Sequence, residues 1–220
     1  MTVPLVVIGG GEHARVVIDA ALTRPDLWSV RGFVDPELCE TTARLLRVTR
    51  LGGDDAVNGL ALEDPAVRFV LGLGATGRST LRREVADRVA RAGIKWATII
   101  HSAAWVSPHA EIGVGVVVLA AAVINAGAII GDHVVLNTGA IAEHDVTLGE
   151  HVQLGPRACV GGGASVGADS YVGLGASIRD HVLVGRDVVI AMGAVVVGDV
   201  PQGADFRGVP ARRFERKRRG

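Results

Sequence analysis

Aromatic residues and cysteines are scarce in this chain of 220 residues. Phe, Trp and Tyr make up 4% of the sequence although 49% of it is hydrophobic, so a core has to be built from aliphatic side chains. Two cysteines, Cys39 and Cys159, are too few for a disulfide framework, and a reducing compartment is the simpler interpretation. The composition argues against a disulfide-stapled secreted domain.

Net charge and long apolar runs are absent as well. The 23 basic residues equal the 23 acidic ones, which gives no electrostatic case for binding nucleic acid or an anionic membrane. The apolar run Val3–Ile8 is too short for a signal peptide or a membrane span, and no basic segment precedes it. We therefore expect a soluble cytoplasmic protein whose partners include neither nucleic acid nor a membrane.

What the chain does contain is a six-residue repeat. A small or β-branched residue follows four residues after each repeated position, as Ala110 follows Val106. This period fits neither an amphipathic helix nor an alternating strand, but it is the period of hexapeptide β-helices. We expect a parallel β-helix over about residues 106–200, with the repeated side chains stacked in an internal column. The sixteen repeated positions are Val106, Ile112, Val118, Ile124, Ile130, Leu136, Ala142, Leu148, Leu154, Val160, Val166, Val172, Ile178, Val184, Ile190 and Val196.

Three repeats form one turn of a three-sided coil, so residues 18 apart should stack at about 4.8 Å. His144 then lies one coil from Gly162, within a run of three glycines. Its repeat is the one in which Ala142 replaces the core aliphatic, and it also carries Glu143 and Asp145. A histidine flanked by acids next to a bare backbone fits a general base paired with an amide that stabilises an oxyanion. A polar turn with a flexible glycine is the alternative.

Two further histidines, His133 and His151, are also separated by one coil and should stack at one corner. A zinc site needs three or more protein ligands, and the adjoining positions of this column, Gly115 and Asp169, supply no third histidine or cysteine. The sequence therefore favours solvent-exposed corner histidines, and we expect no metal.

The residues before the repeats are predicted to form a small α/β unit. The segment Arg50–Asp55 is expected to be a turn. The arginines of the predicted helix Arg78–Ala92 are expected to form a solvated face. Strands are predicted at Val3–Ile8, Val30–Val34, Phe69–Leu73 and Trp96–Ile100, and helices at Ala14–Leu22 and Arg78–Ala92.

The loop Gly9–His13 connects the first predicted strand to the first predicted helix. A strand, a glycine turn and a helix N-terminus can together bind a phosphate, although a plain tight turn also fits. The glycine spacing departs from the dinucleotide fingerprint, so an NAD site is not supported. Asp35 ends the second predicted strand, where it could contact a ribose or base bound over the loop, or be a solvated loop acid.

The chain resembles the bacterial nucleotide-amino-sugar N-acetyltransferases of the left-handed β-helix superfamily, which act on UDP-4-amino sugars or on GDP-perosamine. The matching segments are Gly9–Ala14 with Val16 and Val17, Asn137–Asp145, and Gly208–Ala211. The resemblance covers residues 3–214. It implies a small N-terminal α/β (Rossmann-like) domain followed by a left-handed parallel β-helix, in a homotrimer with active sites between subunits.

The implied domains are a nucleotide-sugar-binding domain at 1–100, an acyltransferase domain at 101–200, and a C-terminal loop and basic tail at 201–220. The tail segment Arg212–Arg219 carries six basic residues. We expect a solvated end there, with a role near an anionic ligand as the alternative.

The resemblance also implies roles for single residues. His144 matches the general base, Asp145 the acid that orients it, and the amide of Gly162 the oxyanion donor. Some family members have a second histidine where this chain has Gln153. The expected amino-sugar pocket contains Asn137 and Glu143; the nucleotide site contains Gly10, Gly11, His13 and Asp35; and acetyl-CoA runs past Gly155, Gly173 and Met192.

These inferences predict an acetyl-CoA-dependent N-acetyltransferase that acetylates a nucleotide-linked amino sugar, by resemblance a 4-amino-4,6-dideoxy sugar. His144 accepts the amine proton, and Glu143 or Asp145 fixes its tautomer. The alternatives are a sugar or sialic acid O-acetyltransferase, a non-catalytic β-helix scaffold that binds sugar nucleotides, and a zinc hydratase. The Glu-His-Asp cluster argues against the scaffold, and the missing ligand set argues against the zinc enzyme.

Overall fold

The computed structural model of this chain describes residues 2–74, 77, 80–90 and 93–214. Within the part described, a four-stranded parallel sheet with helices comes first and a long stack of short strands follows. We refer to the first part, from β1 to α4, as the α/β unit. Its elements are β1 (Val3–Ile8), α1 (Glu12–Leu22), β2 (Trp28–Val34), α2 (Glu40–Leu46), β3 (Thr49–Gly52), α3 (Ala56–Glu63), β4 (Arg68–Leu71) and α4 (Leu81–Ala90).

The sheet of the α/β unit has the order β3-β2-β1-β4, and neighbouring strands are parallel. The central strand β1 is apolar on both faces because both are covered. Leu5 and Val7 pack with α1 on one face, while Val6 and Ile8 pack with α3 and α4 on the other. This topology brings the loops that follow β1, β2 and β4 to one edge of the sheet.

The second part, which we refer to as the solenoid, is a stack of two-residue strands with a longer strand near its end. Nothing in the helices described is long and apolar enough to span a bilayer. The strands are β5 (Ile99–Ile100), β6 (Trp105–Val106), β7 (Glu111–Ile112), β8 (Val117–Val118), β9 (Val123–Ile124), β10 (Ile129–Ile130), β11 (Val135–Leu136), β12 (Ile141–Ala142), β13 (Thr147–Leu148), β14 (Gln153–Leu154), β15 (Cys159–Val160), β16 (Ser165–Val166), β17 (Tyr171–Val172), β18 (Ser177–Ile178), β19 (Leu183–Val184), β20 (Val189–Ile190), β21 (Val195–Val196), β22 (Asp205–Arg207) and β23 (Arg212–Arg213).

Every third strand pairs in parallel, so the solenoid has three flat faces. The first face runs from β5 through β8, β11, β14, β17 and β20 to β22, the second from β6 to β21, and the third from β7 to β19. The pairing joins residues 18 apart, as in Ile129 with Thr147. The predicted aliphatic column is confirmed: it is buried from Val118 to Val196, with Val106 and Ile112 partly buried at its start. This arrangement fits a left-handed β-helix.

The solenoid is longer than the predicted span of 106–200. Ile99–Ile100 pairs with Val117–Val118 and forms its first rung. At the other end Phe206 pairs with Ile190, so the last coil is shorter than those before it. An unbroken period of six reveals neither end, because the first rung precedes the clear repeats and the last coil departs from the period.

Several predictions for the α/β unit are wrong. The expected turn Arg50–Asp55 is confirmed only at 53–55, because Arg50–Gly52 belong to β3, and neither α2 nor α3 was predicted. The expected strand Trp96–Ile100 is divided, because Trp96 bridges to Phe69 whereas Ile99 joins the solenoid. Three predicted parts lie outside the described residues: Arg78, Arg91–Ala92 and residues 215–220 of the basic tail.

The two parts share a core. The buried cluster on the α1 side of the sheet continues from Val17 and Ile18 to Ile99, Val117 and Val135 on the first face of the solenoid. The cluster is continuous across the junction, so the α/β unit is held against this face by apolar burial rather than by a linker.

Candidate active site

In three successive coils, the corner between the second and third faces carries one polar side chain, then three, then none. Residues 125–128 form it in one coil, residues 143–146 in the next and residues 161–164 in the third. We refer to the middle one as the His144 corner. Its side chains at 143, 144 and 145 lie outside the buried column, so they can be polar without cost to the core.

The imidazole of His144 is held by its neighbour in sequence. Nδ1 of His144 lies 2.8 Å from Oδ2 of Asp145. A carboxylate only accepts hydrogen bonds, so this contact places the proton on Nδ1 and leaves the lone pair on Nε2. Asp145 has a φ of 59°, a left-handed conformation that Asp tolerates better than most residues. Its carboxylate lies over Gly127 of the coil below, where a Cβ would collide with Oδ1.

The other face of the imidazole meets bare backbone. A Cβ at Gly162 would lie 2.5 Å from Nε2 of His144, so glycine is the residue that leaves room for the ring. The predicted stacking of these two residues one coil apart is therefore confirmed. Within the described residues the N–H of Gly162 donates to no protein group. A free base nitrogen and a free amide donor thus lie side by side.

Glu143, the other acid of the corner, is held elsewhere. Nδ2 of Asn125, one coil below, donates to Oε2 of Glu143 at 2.8 Å. The sequence left open whether Glu143 or Asp145 fixes the imidazole, and in the structure Asp145 makes that contact. Asn125 is a site residue that the sequence patterns did not single out, although it lies one coil before Glu143 and the same arithmetic could have found it.

The hydrogen bond to Asp145 raises the pKa of His144 above its usual value. The negative charges of Asp145 and Glu143 act in the same direction, and partial loss of hydration opposes them. The His144 side chain is 63% exposed, so the effect is on protonation rather than on folding stability. As a base, His144 gains proton affinity and is neutral only at a correspondingly higher pH.

A cleft of about 900 Å³ lies between the α/β unit and the first face of the solenoid. The structure brings most of the predicted binding residues to this one cleft. From the α/β unit it is lined by Gly11, His13 and Asp35, and from the solenoid by Asn137, Gly155, Gly173 and Met192.

The α/β end of the cleft is formed by the loop between β1 and α1. No side chain caps α1, whose N-cap is Gly11, so the first N–H groups of the helix face the cleft without an intrahelical partner. Asp35 accepts hydrogen bonds from the N–H groups of Gly10, at 2.7 Å, and Glu37, at 2.8 Å. Asp35 is therefore more than a solvated loop acid, because it fixes the glycine loop at the edge of the cleft.

Gly10, in contrast, faces the protein rather than the cleft. A Cβ there would collide with the ring of Phe33. Its carbonyl accepts the hydroxyl of the buried Thr42 at 2.5 Å. No pattern in the sequence pointed to Thr42, which lies in the helix that was not predicted.

His13 lines the cleft with part of its ring buried. Burial lowers its pKa to about 4, and the positive charge of Arg82 contributes. Its Nε2 has no protein partner within the described residues. His13 is therefore a neutral side chain beside the cleft, and its Nε2 is buried.

The solenoid end of the cleft contains the residues predicted to lie along acetyl-CoA. A Cβ at Gly155 or Gly173 would come within 2.8 Å of the backbone of the next coil, so solenoid packing alone requires both glycines. Met192 is 76% exposed and projects an apolar side chain at the cleft. Gln153 also lines this cleft and lies away from the His144 corner.

The cleft and the His144 corner are on different edges of the solenoid. Asn137 lies at the corner between the first and second faces, whereas His144 lies at the next corner, beyond β12. None of the cleft residues described comes from 143–146 or 161–164. One chain therefore presents a binding cleft and a base that do not face the same space.

The corner between the third and first faces holds His133 and His151. Their rings stack with centroids 4.9 Å apart, as predicted, but each residue is only 7% exposed. The expected exposure is wrong because α4 and the segment after it cover this corner: Arg82 donates to the carbonyl of His133, and Trp96 packs edge-on against the His133 ring at 4.6 Å. Burial lowers the pKa of His133 to about 4 and that of His151 to about 3. Within the described residues no group of three or more His, Cys, Asp or Glu could hold a metal ion.

Arg82 of α4 is buried at the same junction, which contradicts the predicted solvated arginine face. Its guanidinium donates to the carbonyls of Leu73 at 2.7 Å and His133 at 2.8 Å, so it connects the cleft wall to the solenoid. Burial lowers the pKa of Arg82 to about 10. The next residue, Arg83, pairs with Asp169 of the solenoid at 2.8 Å.

Comparison with solved structures finds chains that are similar to this one over nearly all of its length. The acetyltransferase domain of PglB from Neisseria gonorrhoeae FA1090, in complex with acetyl coenzyme A, is 32% identical over 97% of this chain and 100% of that one, with a TM-score of 0.86. PerB from Caulobacter crescentus, in complex with CoA and GDP-perosamine, is 34% identical over 96% of this chain and 97% of that one, with a TM-score of 0.86. WeeI from Acinetobacter baumannii AYE, at 21% identity over 97% and 100% of the two chains and a TM-score of 0.81, shares the fold. No family model and no curated protein matches the sequence.

Proposed function

Since the chain belongs to the nucleotide-amino-sugar N-acetyltransferases built on a β-helix, we propose that it transfers the acetyl group of acetyl-CoA to the amine of a nucleotide-linked amino sugar. The Neisseria domain was solved with acetyl coenzyme A, and the Caulobacter enzyme with CoA and GDP-perosamine, which supports the same two classes of substrate here. The observation that carries the proposal is the His144 ring, with Nδ1 on Asp145 and Nε2 against the bare backbone of Gly162.

In the proposed reaction the sugar amine attacks the acetyl carbonyl, the C–N bond forms and the C–S bond breaks. His144 accepts the amine proton at Nε2 and passes it to the departing CoA thiolate. Asp145 keeps the lone pair on Nε2 and stabilises the imidazolium. The free amide of Gly162 donates to the acetyl oxygen as negative charge develops there, a contact that is strongest where water is excluded.

The cleft is proposed to bind the nucleotide half of the substrate at its α/β end. The uncapped start of α1 favours a phosphate, and His13 and Asp35 flank it with polar atoms suited to a ribose or base. Acetyl-CoA is proposed to run past Gly155, Gly173 and Met192. We take the α/β unit to be Rossmann-like and assign nucleotide binding to the domain at 1–100 that contains it.

The acyltransferase domain is proposed at 101–200 and the tail at 201–220, although the first rung of the solenoid, Ile99–Ile100, precedes that boundary. We take the coil to be left-handed and the protein to be a cytoplasmic homotrimer. The separation of Asn137 from His144 supports the assembly, because a base that faces away from its own cleft can serve the cleft of a neighbouring copy. Asn137 and Glu143 would then meet one amino sugar from two subunits.

The test is a thiol-release assay with acetyl-CoA against a panel of UDP-, GDP- and dTDP-linked 4-amino-4,6-dideoxy sugars. We expect saturable CoA release that requires the amine, with the acetylated product identified by mass spectrometry. The matched 4-hydroxy sugars are the control. Turnover of these hydroxyl acceptors alone would identify an O-acetyltransferase, and no turnover of any acceptor would contradict enzymatic acyl transfer to sugar nucleotides.

A further inference from the structure

Building on the proposed function, we propose that Asn125 is a positioning residue that holds the Glu143 carboxylate beside the catalytic base to receive the substrate amine. Asn125 lies one coil below the Glu-His-Asp sequence and outside it. It acts in the reaction through its hydrogen bond to Glu143.

The two acids of the corner are held apart by different partners. Asp145 is bound to Nδ1 of His144, and Glu143 is bound to Nδ2 of Asn125, each at 2.8 Å. Without Asn125, the Glu143 side chain would be free to turn toward the imidazole and compete for Nδ1. The hydrogen bond from Asn125 therefore leaves Asp145 to bind His144 and keeps Glu143 available for the substrate amine.

The same contact fixes the direction in which the Glu143 carboxylate points. An amide N–H donates, so the oxygen that faces Asn125 must accept, and an ionised carboxylate is the stronger acceptor. The side-chain amide of Asn125 therefore holds Oε2 of Glu143 in one place. A carboxylate oxygen fixed next to His144 can accept a hydrogen bond from the substrate amine and align it for attack while His144 takes its proton.

The surroundings leave Glu143 little else to bind. Gly161, directly above it in the next coil, has no side chain, and Glu143 is half-buried, as is Asn125. The charged or titratable groups that its charge reaches are His144 on the same corner and the Cys159 thiol, whose pKa is raised by burial and by Glu143. Within the described residues Asn125 donates the one side-chain hydrogen bond that Glu143 receives.

The test uses two substitutions of Asn125 that disrupt the hydrogen bond to Glu143 in different ways. Asn125→Ala removes the donor, so kcat/KM for the sugar nucleotide should fall roughly 10- to 100-fold at every pH, as expected for a misplaced group. Asn125→Asp keeps the shape but puts a second carboxylate against Glu143. Two carboxylates this close share one proton, and one of their pKa values is strongly raised.

The pH profile of Asn125→Asp gives the distinctive result. Below the raised pKa a shared proton restores the contact, so activity should approach that of the parent enzyme. As the pH rises through that pKa the proton is lost, the carboxylates repel and activity should fall relative to the parent. The parent has the opposite trend, because His144 becomes neutral as the pH rises. The optimum should therefore move to lower pH.

Asn58→Asp on the exposed surface of α3 is the matched control, and its kinetics should equal those of the parent. Thermal unfolding of each variant checks the fold. A profile of Asn125→Asp that is parallel to that of the parent, or an Asn125→Ala variant with parental kcat/KM, would overturn the proposal. His144→Ala separates the two hypotheses: normal turnover in that variant contradicts the proposed mechanism, whereas an inactive His144→Ala with a normal Asn125→Asp contradicts only the role of Asn125.

Discussion

In the solenoid, the functional side chains of the His144 corner are fixed by one another and by the coils directly above and below them. In the α/β unit, the cleft residues instead lie on loops that are fixed by long-range contacts, such as that of Asp35 with the N–H of Gly10. The difference determines how far a substitution spreads. An outward change at a solenoid corner acts on its neighbours in the adjacent coils, whereas a change in the cleft disturbs a loop network and the fold together.

The largest expected effect breaks the solenoid from inside. Leu148→Asp places an unpaired charge in the aliphatic column, where Leu148 is 1% exposed. The free energy of unfolding should fall by about 3–5 kcal/mol, as for other uncompensated buried charges. Urea denaturation followed by circular dichroism measures this. Leu62→Asp is the control, because Leu62 on α3 is 84% exposed and its substitution should change little. Equal losses for both would mean that the column does not carry the stability.

The next largest effect is expected from a substitution that removes the general base and leaves the fold intact. His144→Ala should lower kcat by roughly 10²–10⁴-fold, the usual contribution of a general base. Thermal stability and the affinity for acetyl-CoA should hardly change, because the side chain lies outside the column. Raising the pH should restore part of the rate, since a neutral amine needs less help in losing its proton. His109→Ala, exposed at the same edge of the solenoid, should retain parental kcat.

A substitution one coil away should have a smaller effect of the same kind. Gly162→Ala puts a methyl group 2.5 Å from Nε2 of His144, so the exposed ring has to swing away from the amide. We expect kcat to fall roughly 10²-fold, the scale of a misplaced catalytic group. The φ of Gly162 lies outside the left-handed region, so alanine should cost little stability. Parental kcat together with a crystal structure showing an unmoved ring would contradict this packing.

The register of the solenoid could be predicted from the sequence, and this register also predicted much of the candidate site. An unbroken period of six determines which residues stack, so the contact between His144 and Gly162 follows from counting. Packing between the two parts of the chain has no such period. The burial of Arg82 and of the stacked histidines depends on where α4 docks, and no repeat in the sequence encodes that. The helix α2, which supplies Thr42, likewise lacked a clear apolar pattern.

The stability contributed by the corner that holds His133 and His151 should depend on pH. His151 is buried as a neutral ring with a pKa of about 3, below its unfolded value near 6.5. Between those values the unfolded chain binds a proton that the folded chain excludes, so stability falls as the pH decreases from about 6.5 toward 3. His151→Asn cannot titrate, and its melting temperature should therefore vary less over this range than that of the parent. Parallel pH profiles of the melting temperature would contradict burial of a neutral His151.

The smallest expected effect separates the charge of Asp145 from its shape. Asp145→Asn keeps an oxygen that can accept the Nδ1–H of His144 but removes the charge. The hydrogen bond to Asp145 and its charge raise the pKa of His144, so the asparagine variant should have a lower pKa. A base with a lower pKa is neutral at lower pH, so the rising limb of kcat/KM should move down the pH scale. The maximal rate should fall less than in His144→Ala, because the imidazole remains but is a weaker base. Asp26→Asn, which removes a carboxylate from an exposed pair with Arg24 in the α/β unit, should leave the limb in place. A limb that stays fixed in Asp145→Asn would show that Asp145 orients the ring without tuning its proton affinity.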